Sequence, residues 1–139
     1  MSFKADLEFE KEQMQKLVES LPTNCQYHIM QGNFKYFDLV IVGKETGKIK
    51  TAEVKFDRLA HKTGNFAIEL SCGGKPSGIS STKADLFLLV DANSFEVYPI
   101  PTEQLKGLLG PLKRVMGGDG WKSEIALLPV DVLAKEISK

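Results

Sequence analysis

The sequence predicts an α+β (mixed α/β) or mixed-sheet fold in a single domain spanning 1–139. Three observations predict it. The chain opens on residues with helical periodicity, and its middle holds short apolar runs separated by polar turns. A second helical stretch follows a proline near residue 101. At 139 residues, 42% hydrophobic and 26% charged, the chain is of ordinary domain size and globular composition. Such a length buries roughly two-thirds of the unfolded surface, so no metal or disulfide staple is needed to fold it.

Taken in order, Leu7, Met14, Leu17, Val18 and Leu21 fall on one helical face, which predicts a helix over 7–21. Asp6 is the expected N-cap and Pro22 the stop. A short strand is expected at Tyr27–Met30, then a turn at Gln31-Gly32-Asn33 and a buried strand over Tyr36–Val42. Gly43 to Lys48 reads as a hairpin turn into a strand over Ile49–Phe56. Further strands are expected at Phe66–Leu70, Leu86–Val90 and Phe95–Tyr98, with a loop at Cys72–Gly78 and a short helix over Ile79–Ala84 between them. The last third reads as a helix opened by Pro101 or Thr102, a mobile loop at Gly117–Gly120, a strand near Ile125–Leu128 and a helix from Val130.

Composition narrows function. No apolar run approaches the roughly 20 residues of a membrane span, and Met1 to Asp6 has no signal-peptide core. Cys25 and Cys72 fit neither a disulfide framework nor a CxxC zinc site. A cytoplasmic protein, without membrane or structural zinc, is expected. Net charge is zero but unevenly spread. Residues 1–32 carry three Lys/Arg against five Asp/Glu, 33–83 nine against five, and 84–139 six against eight. The basic middle third suits an anionic ligand or a solvated mixed-charge surface.

The chemistry sits in that third. Asp38 lies among Phe37, Leu39 and Val40, where an unpaired carboxylate is costly unless it meets a metal, a partner or a cleft. On the next strand Glu53 and Lys55, two apart, share a face opposite Val54. A hairpin brings Asp38 to that pair. Two carboxylates supply hard oxygen ligands for Mg²⁺ or Mn²⁺, a metal there activates water, and Lys55 orients that water or balances charge. This is phosphodiester hydrolysis chemistry. Of Glu8, Glu10, Glu12 and Glu19, only Glu10 falls within the apolar stripe of the first helix, so Glu10 is the expected further carboxylate, with Glu8 and Glu12 as substitutes. A structural ion-pair network without catalysis is the competing reading.

Asp38, followed after fourteen residues by Glu53-Val54-Lys55, resembles the PD-(D/E)xK nuclease signature, with Phe37 where proline often stands. The stretches 53–65 and 74–85 resemble small phage-encoded members, similar to Holliday-junction resolvases, and the likeness spans roughly residues 7–130. It implies a restriction-endonuclease-like core, a central mixed sheet flanked by helices in αβββαβ order, and a Mg²⁺-dependent deoxyribonuclease, with Mn²⁺ as substitute. It also implies metal binding by Asp38, Glu53, Glu10 and the Val54 carbonyl, water activation by Lys55, and a DNA substrate, branched DNA leading. Cutting a junction twice implies a homodimer. The alternatives are a repair or restriction-type nuclease on linear duplex, an inactive DNA-binding accessory on the same fold, and a protein-binding module.

Arg58, Lys62 and Asn65, beside His61, follow the catalytic strand and are candidate DNA contacts or an exposed polar loop. A catalytic role for His61 is disfavoured, because the chemistry needs no histidine base. Lys75, Ser77 and Thr82 are candidate DNA contacts in a glycine-rich stretch that contains no GxxxxGK[ST]. Asp57 and Glu69 are candidates to extend the acidic site, though Glu69 reads as solvent-facing. Trp121 reads as a packing anchor rather than a base-stacking residue.

Overall fold

The computed structural model describes residues 3–31, 34 and 36–139. The first helix, α1, runs over Phe3–Ser20. Strands β1 (Cys25–Ile29), β2 (Leu39–Gly43) and β3 (Ile49–Asp57) follow, then a one-turn helix α2 (Ala60–Thr63) and strand β4 (Asn65–Cys72). After the two-residue strand β5 (Lys75–Pro76) come β6 (Leu86–Asp91), β7 (Val97–Pro101), α3 (Thr102–Leu108), β8 (Arg114–Gly117), β9 (Ser123–Pro129) and α4 (Val130–Ile137).

The strands form a five-stranded mixed sheet in the order β1-β2-β3-β6-β7 and a four-stranded antiparallel sheet in the order β5-β4-β9-β8. Among the described residues, only β3 and β6 pair in parallel. Strand β6 shows why its sequence is apolar throughout: Leu88 and Val90 face a cluster with Leu17 of α1, Leu39 and Ala52, while Phe87 and Leu89 face the other way. That second cluster joins Phe66, Ile68, Ala126 and Leu128 of the four-stranded sheet to Leu105 of α3 and Leu133 of α4. A strand buried on both faces has no polar alternation. Among the described residues, no helix is long and apolar enough to cross a membrane.

The hairpin joining β2 and β3 forms as the turn residues require. Gly47 sits at φ 69°, and the Gly43 N–H donates to the Lys48 carbonyl at 2.9 Å. Its register pairs Leu39 with Ala52, and Asp38, just ahead of that pair, is held on β3 by its N–H to the Ala52 carbonyl at 2.9 Å.

Several expectations need correction. Helix α1 begins at Phe3, so Asp6 lies inside it rather than capping it. Gly32 and Asn33 of the expected turn lie outside the described residues. Tyr36 and Phe37 are not strand, and Asp38 stands just ahead of β2 rather than within it. The helix expected over Ile79–Ala84 is a single 3-10 turn, Gly78–Ser80, because the chain then extends and the Thr82 hydroxyl accepts the Ala84 N–H. Pro101 takes the N-cap position of α3, and the Thr102 hydroxyl donates to the Ala84 carbonyl instead of capping. The loop expected at Gly117–Gly120 is the end of β8 and the turn into β9.

Candidate active site

Asp38, Glu53 and Lys55 converge where β2 meets β3, and α1 lies across the opening. A hollow of about 370 Å³ is lined by Glu10, Gln13 and Met14 of α1 together with Asp38, Val54, Lys55 and Arg58. A second hollow, about 200 Å³, is lined by Glu53, Val54, Lys55, Glu69 and Gly78. Val54 and Lys55 border both, so the candidate site straddles strand β3.

The backbone fixes Asp38 from two sides. Its N–H donates to the Ala52 carbonyl at 2.9 Å, and its carbonyl accepts the Met30 N–H at 2.9 Å. Its Oδ2 accepts the Val54 N–H at 2.8 Å. Burial pushes the Asp38 carboxyl above its ordinary range, the Val54 N–H pulls it back, and the charge of Glu10 pushes it up again. Glu53 is displaced further, from 4.5 to about 7, chiefly by burial and then by the charge of Asp38. The Thr82 hydroxyl opposes this by donating to Glu53 Oε2 at 3.3 Å. Glu10, Asp38 and Glu53 thus form a chain of mutually repelling carboxylates, and no lysine or arginine among the described residues forms a salt bridge with any of them.

Among the described residues, no three His, Cys, Asp or Glu side chains stand close enough to cage a metal on their own. The donor set nevertheless fits a hard divalent cation. Such an ion keeps several waters, takes one or two carboxylates from the protein, and relieves repulsion of the kind seen between Asp38 and Glu53.

The other expected residues divide. Glu10 lines the larger hollow but is exposed at its rim, not buried as its place in the apolar stripe suggests; Glu8 and Glu12 do not line it. Arg58 reaches the same rim, its guanidinium 4.6 Å from the centre of the Phe9 ring. Lys62 and Asn65 line neither hollow; Lys62 is exposed and the Asn65 amide donates to the Thr63 carbonyl at 3.3 Å. His61 is exposed beside Arg58 and Asn93. Lys75 is exposed on β5. Ser77 and Thr82 place their hydroxyls on acidic groups: Ser77 donates to Glu69 at 3.0 Å, and Thr82 donates to Glu53.

Three residues behave otherwise than the sequence suggests. Glu69 does not face open solvent. Its carboxylate accepts from Ser77 and, at 2.7 Å, from Ser123, and it walls the smaller hollow beside Glu53. The register of β4 against β9 shifts between Glu69 and Ser71, an irregularity that alternation alone does not announce. Gly78 packs so closely on Glu69 that an added Cβ would overlap the Glu69 carbonyl. Asp57 is buried and structural: it accepts the N–H groups of Leu59 and Ala60 at 2.9 Å each and of Ala67 at 3.0 Å, tying β3 to α2 and β4. Trp121 does not anchor the interior, being 74% exposed.

No protein-family model and no curated protein matches the chain. Among solved structures it is similar to a bacterial homing endonuclease, I-Ssp6803I, with a TM-score of 0.53 and 16% identity, over 94% of this chain and 81% of that one. At that identity the likeness is one of fold. The shared fold extends over nearly the whole of this chain.

Proposed function

We propose that this protein is a metal-dependent DNA endonuclease of the PD-(D/E)xK type. The observation that carries the reading is that Asp38 and Glu53 stand in two hollows on either side of strand β3, with Lys55 bordering both, Glu10 at the rim of the larger one and the charge of Asp38 bearing on Glu53. The fold shared with a homing endonuclease supports it, since the same arrangement of elements there serves an endonuclease. A Mg²⁺ ion, replaceable by Mn²⁺, bound by Asp38, Glu53 and the Val54 carbonyl would lower the pKa of a bound water and offset charge developing on the phosphoryl oxygen.

The chain's own residues supply the rest. The Val54 N–H fixes the orientation of Asp38, and Thr82 fixes that of Glu53. Lys55 stands between the two hollows, where its ammonium orients the attacking water and neutralises charge on the phosphate. Arg58, held on the Phe9 ring, is placed to meet the DNA backbone at the groove's rim. Water attacks directly, with no covalent enzyme intermediate. Branched DNA is the leading substrate, and a homodimer provides the paired cuts it requires.

The test is cleavage of end-labelled four-way junction, linear duplex and single strand in Mg²⁺, Mn²⁺ or EDTA. Wild type is compared with Lys55→Ala and Asp38→Asn. Metal-dependent cutting lost in both variants is expected, a fall of at least a hundredfold in rate. Tight binding without cutting in any metal would make the protein a DNA-binding accessory. Cutting unchanged by Lys55→Ala would sink the assignment of the site.

A further inference from the structure

Trp121 is the sole tryptophan of the chain, and neither packing nor backbone preference accounts for its placement. Its ring is 74% exposed, and its φ of 56° lies in the left-handed region, where a bulky side chain is uncommon. The surrounding turn holds it there. Gly118 and Gly120 take φ of 72° and 71°, and the Trp121 N–H donates to the Gly118 carbonyl at 3.1 Å. A conformation of this kind, kept at a hairpin tip and spent on holding an indole in water, points to a use outside the chain.

The surroundings indicate what that use is. The neighbouring Lys122 is exposed and its side chain runs along Gly120. Its carbonyl accepts the Gly73 N–H at 3.0 Å, joining this tip to the β4–β5 tip, where Lys75 is exposed. Met116, half exposed, adds apolar surface on β8. Of the acidic residues nearby, Glu124 is paired with Arg114 at 3.6 Å. Two residues beyond Trp121, Ser123 donates to Glu69, which walls the hollow shared with Glu53 and Lys55. Trp121 and the exposed Lys122 thus share a tip that is tied to the Lys75 tip and lies two residues from Ser123, the partner of a wall of the smaller hollow.

We infer that Trp121 is a stacking platform for an unstacked base of the bound DNA, with Lys75 and Lys122 against the flanking phosphates. This rests on the nuclease reading and adds a substrate feature to it: a base free to leave the duplex stack, as in a single strand or at a branch. Stacking on an aromatic ring tolerates any base, and the lysines make binding salt-dependent.

The single tryptophan is its own probe. DNA binding is followed by anisotropy of labelled single strand, four-way junction and continuous duplex in Ca²⁺, with indole emission recorded on the same titrations and cutting in Mg²⁺ scored separately on gels. Saturable quenching that tracks binding, stronger for single strand and junction than for duplex, is expected. Trp121→Ala should weaken binding of those two DNAs about tenfold or more, and Trp121→Phe only a few-fold. Binding with unchanged emission overturns the platform and leaves the nuclease reading standing. Equal quenching by continuous duplex overturns the unstacked base. Absence of binding and of cutting with every DNA overturns the nuclease reading and this inference with it.

Discussion

Replacing Glu53 by Gln should stabilise the protein at pH 8 and leave its stability unchanged at pH 4. The Glu53 carboxyl titrates near 4.5 in an unfolded chain and at about 7 in the fold. Between those values the folded state holds the proton that the unfolded state has released, so stability falls as pH rises from about 4.5 to 7 and is level beyond. The penalty is absent at the acid end and complete at the alkaline end. For a carboxylate fully shielded from water it would be about 3 kcal/mol, at about 1.4 kcal/mol per decade. Glu53 is half-buried, and solvent screening brings the figure to ~1 kcal/mol. That corresponds to roughly 2–4 °C in melting temperature for a chain of this size. Urea melts of wild type and Glu53→Gln in EDTA at pH 4, 5, 6, 7 and 8 measure it, since titrations common to both proteins cancel in the difference. Adding Mg²⁺ at pH 8 should raise the stability of wild type and leave the variant nearly unmoved. Parallel profiles for the two proteins would refute the reasoning, because they would mean that Glu53 ionises at no cost to the fold.

Three further outcomes follow from the same contacts. Thr82→Val removes the hydroxyl that favours ionised Glu53, so the alkaline end of the Glu53-linked slope should move to higher pH, read from the same melts. Gly78→Ala should destabilise by about 2 kcal/mol or more, since its φ of 54° and its contact with the Glu69 carbonyl both exclude a side chain; thermal unfolding that matches wild type would show the turn to be free to shift. Asp57→Ala leaves three N–H groups without their acceptor and should cost about 3 kcal/mol or more by denaturant melts, with far less loss in Asp57→Asn, which keeps one acceptor oxygen.

Much of the five-stranded sheet was legible because its residues carry local signals. Leu86 to Val90 is apolar on both faces and is buried on both, and the Gly43–Lys48 turn lies between two runs that pair as a hairpin. Asp38, Glu53 and Lys55 could be picked out because a carboxylate beside apolar residues and a carboxylate–lysine pair at strand spacing both conflict with a bland surface. The four-stranded sheet was harder. Strand β8, Arg114 to Gly117, has only four residues and no alternation long enough to register, and it is strand because β9 pairs with it. Glu69 looked solvent-facing because Phe66 and Ile68 alternate with it. The hydroxyls that hold its carboxylate at the groove, those of Ser77 and Ser123, come from elsewhere in the chain, which is a tertiary fact. Trp121 was misread for a related reason: an isolated tryptophan in a glycine-rich turn carries no periodicity that separates a packed ring from an exposed one.

The division of labour between the two sheets follows from these placements. Strand β3 alone could not make the site, because its alternation sends Val54 toward α1 and Glu53 and Lys55 toward the second cluster. The hairpin pairs Leu39 with Ala52, the Asp38 N–H donates to the Ala52 carbonyl, and the Val54 N–H binds the Asp38 carboxylate to the strand edge, so that its charge reaches Glu53. A slip of one residue between β2 and β3 would turn one carboxylate away from the other, so the short Gly43–Lys48 turn, five residues from Asp38 on one side and five from Glu53 on the other, sets how the two meet. The four-stranded sheet contributes no ligand to that pair. It walls the smaller hollow with Glu69, whose carboxylate the Ser123 hydroxyl of β9 holds in place.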